Sequence, residues 1–374
     1  MTCMRAPLFL ALGVLTSCTP HVARPHVSRE HVAPPYVARR PSPVARPHVA
    51  RGTLQVARDA ALERFEFSER HMGSSARIVL YADGEVSARA LAGRAFARIA
   101  ELDARLSDYR ADSELMRLCA TAGGPAVTVS EDLARVLDAA QRVARRSGGA
   151  FDVTIGPVSR LWRRARAAGA LPDREELASA RRLVGYRKMS VSVERRTVRL
   201  AERGMMLDLG GIGKGYAADE ALDLLRESGA PAALVSLGGD VAAGDPPPGR
   251  AGWEIAIAPL GAPSGGTEVP PYAIPARLLR NAGVSTSGEA EQFLQRDGVR
   301  HSHVLDPSSG AARTGRRGVT VVAAHATMSD ALSTAVAVMG AERGLRLVDR
   351  TPGAAALFVE LTPAGRVERR SRRW

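Results

Sequence analysis

The sequence predicts an α+β domain, and three observations predict it. Segments of helical periodicity and short apolar or alternating segments follow one another irregularly, without the regular strand-helix beat that a parallel sheet requires. Two apolar stretches run into paired glycines, Leu207 to Gly211 (LDLGG) and Leu234 to Asp240 (LVSLGGD), a likeness that raises an internal duplication. Beyond the first fifty residues about 320 remain, ample for one large core. The expected architecture is therefore mixed sheets flanked by helices.

Each element has its own signal. Arg77 to Tyr81 has strand character, and Ser87 to Leu106 repeats Leu91, Phe96, Ile99, Leu102 and Leu106 on one helical side. Leu106 to Leu115 is a polar loop leading to a short helix capped by Ser113. Ser130 to Ser147 is a helix with Ser130 as N-cap and Gly148-Gly149 as its stop. Gly149 to Trp162 is apolar and turn-rich, with Asp152 as its one acid. Ala232 to Leu237 and Val319 to Ala324 are buried-strand patterns, and Trp253 to Ala258 alternates as a strand. Pro246 to Gly249 and Pro259 to Pro275 are loops. A hairpin is expected about Asp297-Gly298, and a helix over Ser329 to Met339 with Ser329 as cap and Asp330 in its first turn.

The chain ends differ from this domain. Arg5, the apolar run Ala6 to Leu15 and then Leu-Thr-Ser-Cys have the layout of a secretory signal, too short to span a bilayer. The tetrapeptide resembles a bacterial lipobox, with cleavage before Cys18 and lipid attached to it. Residues 1–18 are thus expected to be a lipoprotein signal, and residues 19–66 a Pro/Arg/His-rich linker that cannot bury a core. His21, His26, His31 and His48 suit a tether better than a metal site. The domain is expected over 67–365, with 366–374 a basic tail. The expected location is a membrane-anchored lipoprotein facing the periplasm or cell exterior.

Composition excludes several classes. The formal charge of +13 invites a nucleic-acid partner, but the arginine pairs are scattered, aromatics are only 4% and no recognition module is legible. No nucleic acid is expected. After processing, Cys119 is the only unmodified thiol, so no intrachain disulfide can form.

The stretch from Met205 to Leu225 carries the strongest chemical signal. It reads as strand, glycine loop (Gly210, Gly211, Gly213, Gly215) and helix, an arrangement that brings backbone N–H groups to a phosphate. It is no Walker A loop, because Asp208 and Gly215 occupy the positions of the first Gly and the Ser/Thr. It is no dinucleotide fingerprint, because Tyr216 stands where a Gly is needed. Lys214 is one of only two lysines, with Lys188, in a chain whose lysines and arginines total 52. Where Arg is so favoured, a retained Lys points to a task for a compact ammonium.

Asp330 and Thr334 are four apart on one helix face. With a loop carbonyl and phosphate oxygens they make a hard-oxygen set suited to Mg²⁺ at about 2.1 Å. On spacing alone the better reading is an acid serving the helix dipole and a Thr filling core. HExxH, CxxC and GxSxG are absent from the sequence. His301 and His303 are expected on a strand, facing opposite ways, one working and one solvated.

Taken together, SDYRADSEL, GAFDVTIGP, LDLGGIGKGYAAD, LVSLGGD, STSG, HVLDPSSG and VTVVA followed by SDALSTA resemble, in this order, the FAD:protein FMN transferase family, also called ApbE lipoproteins. The likeness spans roughly Met72 to Asp349. It implies an enzyme that uses Mg²⁺, cleaves the pyrophosphate of FAD and transfers FMN to a Thr or Ser hydroxyl of an exported flavoprotein, releasing AMP. The acceptor would carry a Ser/Thr-Gly-Ala-Ser/Thr-like site. By position, the resemblance assigns metal binding to Asp330, Thr334 and the Gly211 carbonyl. It assigns FAD contacts to Met72, Tyr109, Ala150, Phe151, Asp152, Asp208, Lys214 and the backbone at Leu305. His303 would take the proton from the incoming hydroxyl or from water. Cys119 departs from the Asn common after SEL, and DPSSG from the usual DPRTG or DPQTG. The rival readings are an FAD pyrophosphatase and a lipoprotein that stores FAD.

Overall fold

The computed structural model describes residues 62–257, 274–288, 293–362 and 364–374. The signal, Cys18 and most of the linker lie outside them, as does most of the 259–275 loop.

In chain order the first elements are strands β1 (Glu63–His71) and β2 (Ser74–Ala82) and helices α1 (Glu85–Leu106) and α2 (Glu114–Ala120). Next come β3 (Val127–Thr128), α3 (Glu131–Ser147), α4 (Gly156–Ala168), α5 (Arg174–Arg182), β4 (Met189–Ser192), β5 (Thr197–Leu200) and α6 (Gly213–Glu227). The second half holds β6 (Ala233–Leu237), β7 (Asp240–Ala243), β8 (Trp253–Ile257), β9 (Ile274–Leu279), β10 (Ala282–Gly288), β11 (Phe293–Arg296), β12 (Val299–Leu305), β13 (Ala312–Thr314) and β14 (Arg316–Ala323). Helices α7 (Ala326–Met339) and α8 (Ala341–Asp349) and strands β15 (Ala355–Thr362) and β16 (Gly365–Arg370) close the chain.

The α+β class is as expected. One eight-stranded sheet, in the order β1-β2-β6-β7-β10-β14-β15-β16, carries the domain, with smaller sheets β11-β12-β13, β3-β5-β4 and β8-β9. Its ladders all run antiparallel, rather than the mixed pairing expected. Helices α1, α6 and α7 cover it. The side of α1 read from its spacing is the buried one, with Phe96, Ile99, Leu102 and Leu106 in the core. A large side chain so buried contributes roughly 1.5–3 kcal/mol, which makes this layer the framework for the loops above it.

The caps follow the sequence. Ser113 Oγ accepts from Met116 N, Ser130 Oγ accepts from Leu133 N, and α3 stops at Gly148 in the left-handed region, φ 66°. The Asp297-Gly298 turn has φ of 49° and 75°, as a two-residue hairpin requires.

Several boundaries differ. Residues 63–66, placed in the linker, belong to β1, whose Phe65 and Phe67 are in the core. The basic tail begins as β16, paired with β15. Gly149 to Trp162 contains the start of α4, with Pro157 in its first turn. The two paired-glycine stretches are not equivalent. LVSLGGD turns a hairpin between β6 and β7, whereas LDLGG is a pinned extension feeding α6.

Candidate active site

Met205 to Leu209 has the alternating burial of a strand, yet pairs only through one parallel bridge, Met206 to Ile155. The expected strand is replaced by a segment held from outside: Leu207 N donates to Cys119 Sγ at 3.3 Å and Asp208 N to Val153 O at 2.8 Å. Cys119, the departure from the family pattern, thus accepts a backbone bond, and burial raises its thiol pKa. Asp208 Oδ1 then accepts from Gly210 N at 2.8 Å, and Gly213 N donates to Leu209 O at 2.7 Å, turning the loop into α6.

Helix α6 crosses α7 at Gly215. A Cβ there would lie 2.3 Å from the Ala326 carbonyl oxygen and 2.9 Å from Asp330 Cβ, so only glycine permits the approach. The contact lets Gly215 N donate to Asp330 Oδ2 at 3.2 Å. Next to it, Lys214 Nζ meets Asp240 Oδ2 at 2.7 Å, under Gly238 of the β6–β7 turn. Burial disfavours the Lys214 charge, but Asp330 and Asp240 outweigh it and raise its pKa.

Helix α7 starts three residues before the expected Ser329. Asp219 of α6 caps it from across the interface, accepting from Ala326 N and Thr327 N, each at 2.8 Å. Ser329 lies inside the helix, donating to Ala326 O at 3.1 Å and bonded to Ser285 Oγ at 2.8 Å. Asp330 sits in the second turn, so the dipole role falls to Asp219 and does not account for Asp330.

Asp330 is 3% exposed. Burial, joined by the charge of Asp240 and opposed by Lys214, pushes its pKa up to about 7. One turn on, Thr334 Oγ1 lies 3.3 Å from Ser287 Oγ of β10, and a Cβ on Gly211 would meet the same oxygen at 2.9 Å. Gly211, Asp330 and Thr334 are therefore brought together from segments more than a hundred residues apart. Among the described residues no three His, Cys, Asp or Glu side chains group as metal ligands. The donors here are of another kind: one buried carboxylate whose ionisation burial opposes, one hydroxyl and the backbone of a glycine loop. That hard-oxygen set fits Mg²⁺.

The other assigned residues divide. Phe151 is buried, with Cε2 3.3 Å from a Cβ on Gly211, and Ala150 is half-buried beside it. Asp152 has both carboxylate oxygens engaged, accepting from Thr154 N (2.9 Å) and Oγ1 (2.7 Å) and from Tyr186 N (2.6 Å), so its visible work is holding the turn. Met72 occupies the β1–β2 turn at φ 49°, donates its N–H to Asp103 Oδ2 at 3.1 Å and reaches Gly213 with its methyl end. Tyr109 is 78% exposed, with the Arg163 guanidinium 4.4 Å from its ring centroid.

Leu305 is buried in a smaller cluster with Val158, Trp162, Leu294 and Ala312. His301 and His303 are two apart on β12, with buried Ser302 between them. Residues at that spacing share a strand face, so the expectation of opposite faces is corrected. His301 lies 5.7 Å from the Trp162 ring centroid, while His303 is exposed.

Sequence reasoning passed over Asp240, Ser287, Asp219 and Arg163 as site residues. Asp240 was signalled by the acid closing LVSLGGD, and Ser287 by the small residues of STSG. Nothing local marks Arg163 among so many arginines.

Fold and cluster are those of an α+β domain that gathers a glycine loop, a lysine and a buried carboxylate at one place. More narrowly, the chain belongs to the ApbE family, whose model matches residues 72–358. It is 34% identical to the FAD:protein FMN transferase of Treponema pallidum (80% of this chain, 85% of that protein) and 31% identical to one from Klebsiella pneumoniae (79% and 89%). Among solved structures it resembles the apo flavinyl transferase ApbE of Pseudomonas stutzeri, with TM-score 0.72 and 30% identity, covering 83% of this chain and 95% of that one. The ApbE protein of Thermotoga maritima gives TM-score 0.71 and 30% identity over 83% and 98%.

Proposed function

We propose that this protein transfers FMN from FAD to a Thr or Ser hydroxyl of a partner flavoprotein, releasing AMP, in a Mg²⁺-dependent reaction. The observation that carries the reading is the convergence of Gly211, Asp330 and Thr334 beside Lys214. Asp330, Thr334 and the Gly211 carbonyl would hold Mg²⁺, which when bound supplies neutralisation of charge on the phosphate oxygens. Lys214, kept protonated by two carboxylates, adds a fixed positive charge from the protein itself.

The glycine loop and the start of α6 offer backbone to the diphosphate, and Met72, Tyr109 and the Ala150-Phe151 turn offer surface to the rest of FAD. The acceptor oxygen forms a bond to the FMN phosphorus as the bond from that phosphorus to the bridging oxygen breaks. AMP leaves with the bridging oxygen, and the hydroxyl proton passes to His303. Asp208 and Asp152 act by holding the loops, and Leu305 presents its backbone.

The acceptor is taken to be an exported protein with a Ser/Thr-Gly-Ala-Ser/Thr-like site. Lipid on Cys18 would tether the enzyme to a membrane on the periplasmic or outer side, with the linker giving reach. A Cys18→Ala form should remain unlipidated; lipid on that form would refute the tether. The central test incubates the purified domain with FAD, Mg²⁺ and an acceptor. A covalent mass gain of FMN on the acceptor supports the proposal. Free FMN alone would mean hydrolysis, and intact FAD would mean binding only.

A further inference from the structure

Helix α4 carries two arginines three apart, on one face, against the Tyr109 loop. Arg163 is half-buried and triply engaged. Nη1 meets Asp108 Oδ2 at 2.5 Å, Nη2 meets Asp208 Oδ2 at 2.6 Å, and the guanidinium carbon lies 4.4 Å from the Tyr109 ring centroid. The guanidinium that lies over the aromatic ring therefore also joins two loops that are a hundred residues apart in sequence. Asp208, on its other oxygen, holds Gly210 N and so the glycine loop.

Two further facts bear on this corner. Tyr109 is 78% exposed although one face of its ring is backed by Arg163. Among the described residues Arg166 Nη1 is buried without a hydrogen-bond partner, and burial lowers its pKa, with Tyr109 and Asp208 working the other way. The exposed Tyr109 ring, backed by the Arg163 guanidinium, offers a flat surface to an anionic, ring-bearing ligand.

We propose that Arg163 is a positioning residue for the flavin nucleotide: it backs the Tyr109 ring as a platform for a flat ring of FAD and locks that platform to the glycine loop through Asp208. The inference rests on the FAD reading above and deepens it. Arg suits the role because its fork binds two carboxylates while its plane stacks, which a lysine ammonium does not do. Arg163 touches no reacting atom. Its effect is on ligand affinity and loop register.

The test measures FAD affinity by flavin fluorescence in the Mg²⁺-loaded protein for wild type, Arg163→Met, Arg163→Lys, Tyr109→Ala and the double variant Arg163→Met/Tyr109→Ala, with thermal unfolding alongside. Arg163→Met should weaken FAD binding about tenfold, and Arg163→Lys should recover only a small part of it. KM for FAD should rise, while kcat at saturating FAD changes less than about threefold. The decisive readout is the double variant, whose loss of FAD affinity should be clearly smaller than the product of the two single losses, because the two residues form one platform. Unchanged affinity in Arg163→Met, full recovery by Lys, or losses that multiply in the double variant would overturn the inference while the transferase reading stands. Absence of FAD binding by the wild type would remove both. If Arg163→Met does not fold, Arg163→Lys alone decides, since wild-type affinity there would refute a role for the fork.

Discussion

Replacing Gly211 by alanine places a methyl group 2.9 Å from Thr334 Oγ1 and 3.3 Å from both Thr334 Cγ2 and Phe151 Cε2. Ordinary carbon-oxygen contact is near 3.4 Å, so Thr334 must yield by roughly 0.5 Å or rotate about χ1. Either movement disturbs its 3.3 Å approach to Ser287 Oγ. The obstacle is a side-chain end rather than backbone, so the cost in stability should stay near 1 kcal/mol, and the melting temperature should fall by about 2 °C. Activity is far more sensitive, because a displacement of this size at a site built on fixed donors costs on the order of 100-fold. Gly215→Ala is the internal contrast. Its methyl would meet the Ala326 carbonyl at 2.3 Å, backbone against backbone. That overpacking, with loss of the Gly215–Asp330 bond, should cost about 3 kcal/mol or more. The assay pairs the rate of FMN attachment, followed by mass spectrometry of the acceptor, with thermal unfolding. Gly211→Ala within about threefold of wild-type rate, at unchanged stability, would refute the reasoning that this glycine exists to seat Thr334.

Three further outcomes follow from the same geometry. Asp330→Ala should abolish turnover while leaving FAD binding measurable; turnover at the wild-type rate would remove Asp330 from the proposed metal site. The raised Asp330 pKa means the metal-free fold binds this proton more tightly than the unfolded chain does, so the contribution of Asp330 to stability is present at low pH and lost as pH rises toward about 7. Mg²⁺ should therefore release close to one proton on binding at about pH 6 and almost none at about pH 8, read by calorimetry in buffers of different ionisation enthalpy, and equal release at both would refute it. Arg98 joins Asp132 (3.0 Å), Glu101 (3.0 Å) and Glu220 (2.5 Å), and Asp132 also takes Arg105 and Tyr216. Removing it as Arg98→Met should cost about 2 kcal/mol, because Asp132 and Glu220 lose a charged partner although Asp132 keeps Arg105 and Tyr216, lowering the melting temperature while the KM for FAD stays put; a changed KM would tie the network to the site.

How far the sequence carried depends on the range over which each feature is encoded. Caps and tight turns are local, so Ser113, Ser130, Gly148 and the Asp297-Gly298 hairpin are where side-chain chemistry and glycine freedom put them. Sheet direction is not local. An apolar run such as Val319 to Ala324 carries no mark of whether its neighbour runs with it or against it, and mixed pairing was expected where antiparallel pairing is found. The same limit explains Met205 to Leu209, where alternating burial is satisfied by helices and loops instead of a ladder.

The start of α7 shows how a site can hide in such a gap. Read locally, Ser329 is a fair N-cap and Asp330 a fair partner for the dipole, and on that reading the acid needs no further task. The chain solves the capping problem with Asp219, a residue of another helix, which supplies both carboxylate oxygens to the first N–H groups. Ser329 and Asp330 are thereby released into the buried interface, where Gly215 admits one backbone N–H to the acid and Lys214, bonded to Asp240, offsets only part of the cost of the acid's charge. A carboxylate left in that state, 3% exposed and with its pKa near 7, is costly to the fold unless a cation repays it. The energetic argument for a metal thus comes from where the cap was found, and neither the motif spacing nor the helix pattern contained it.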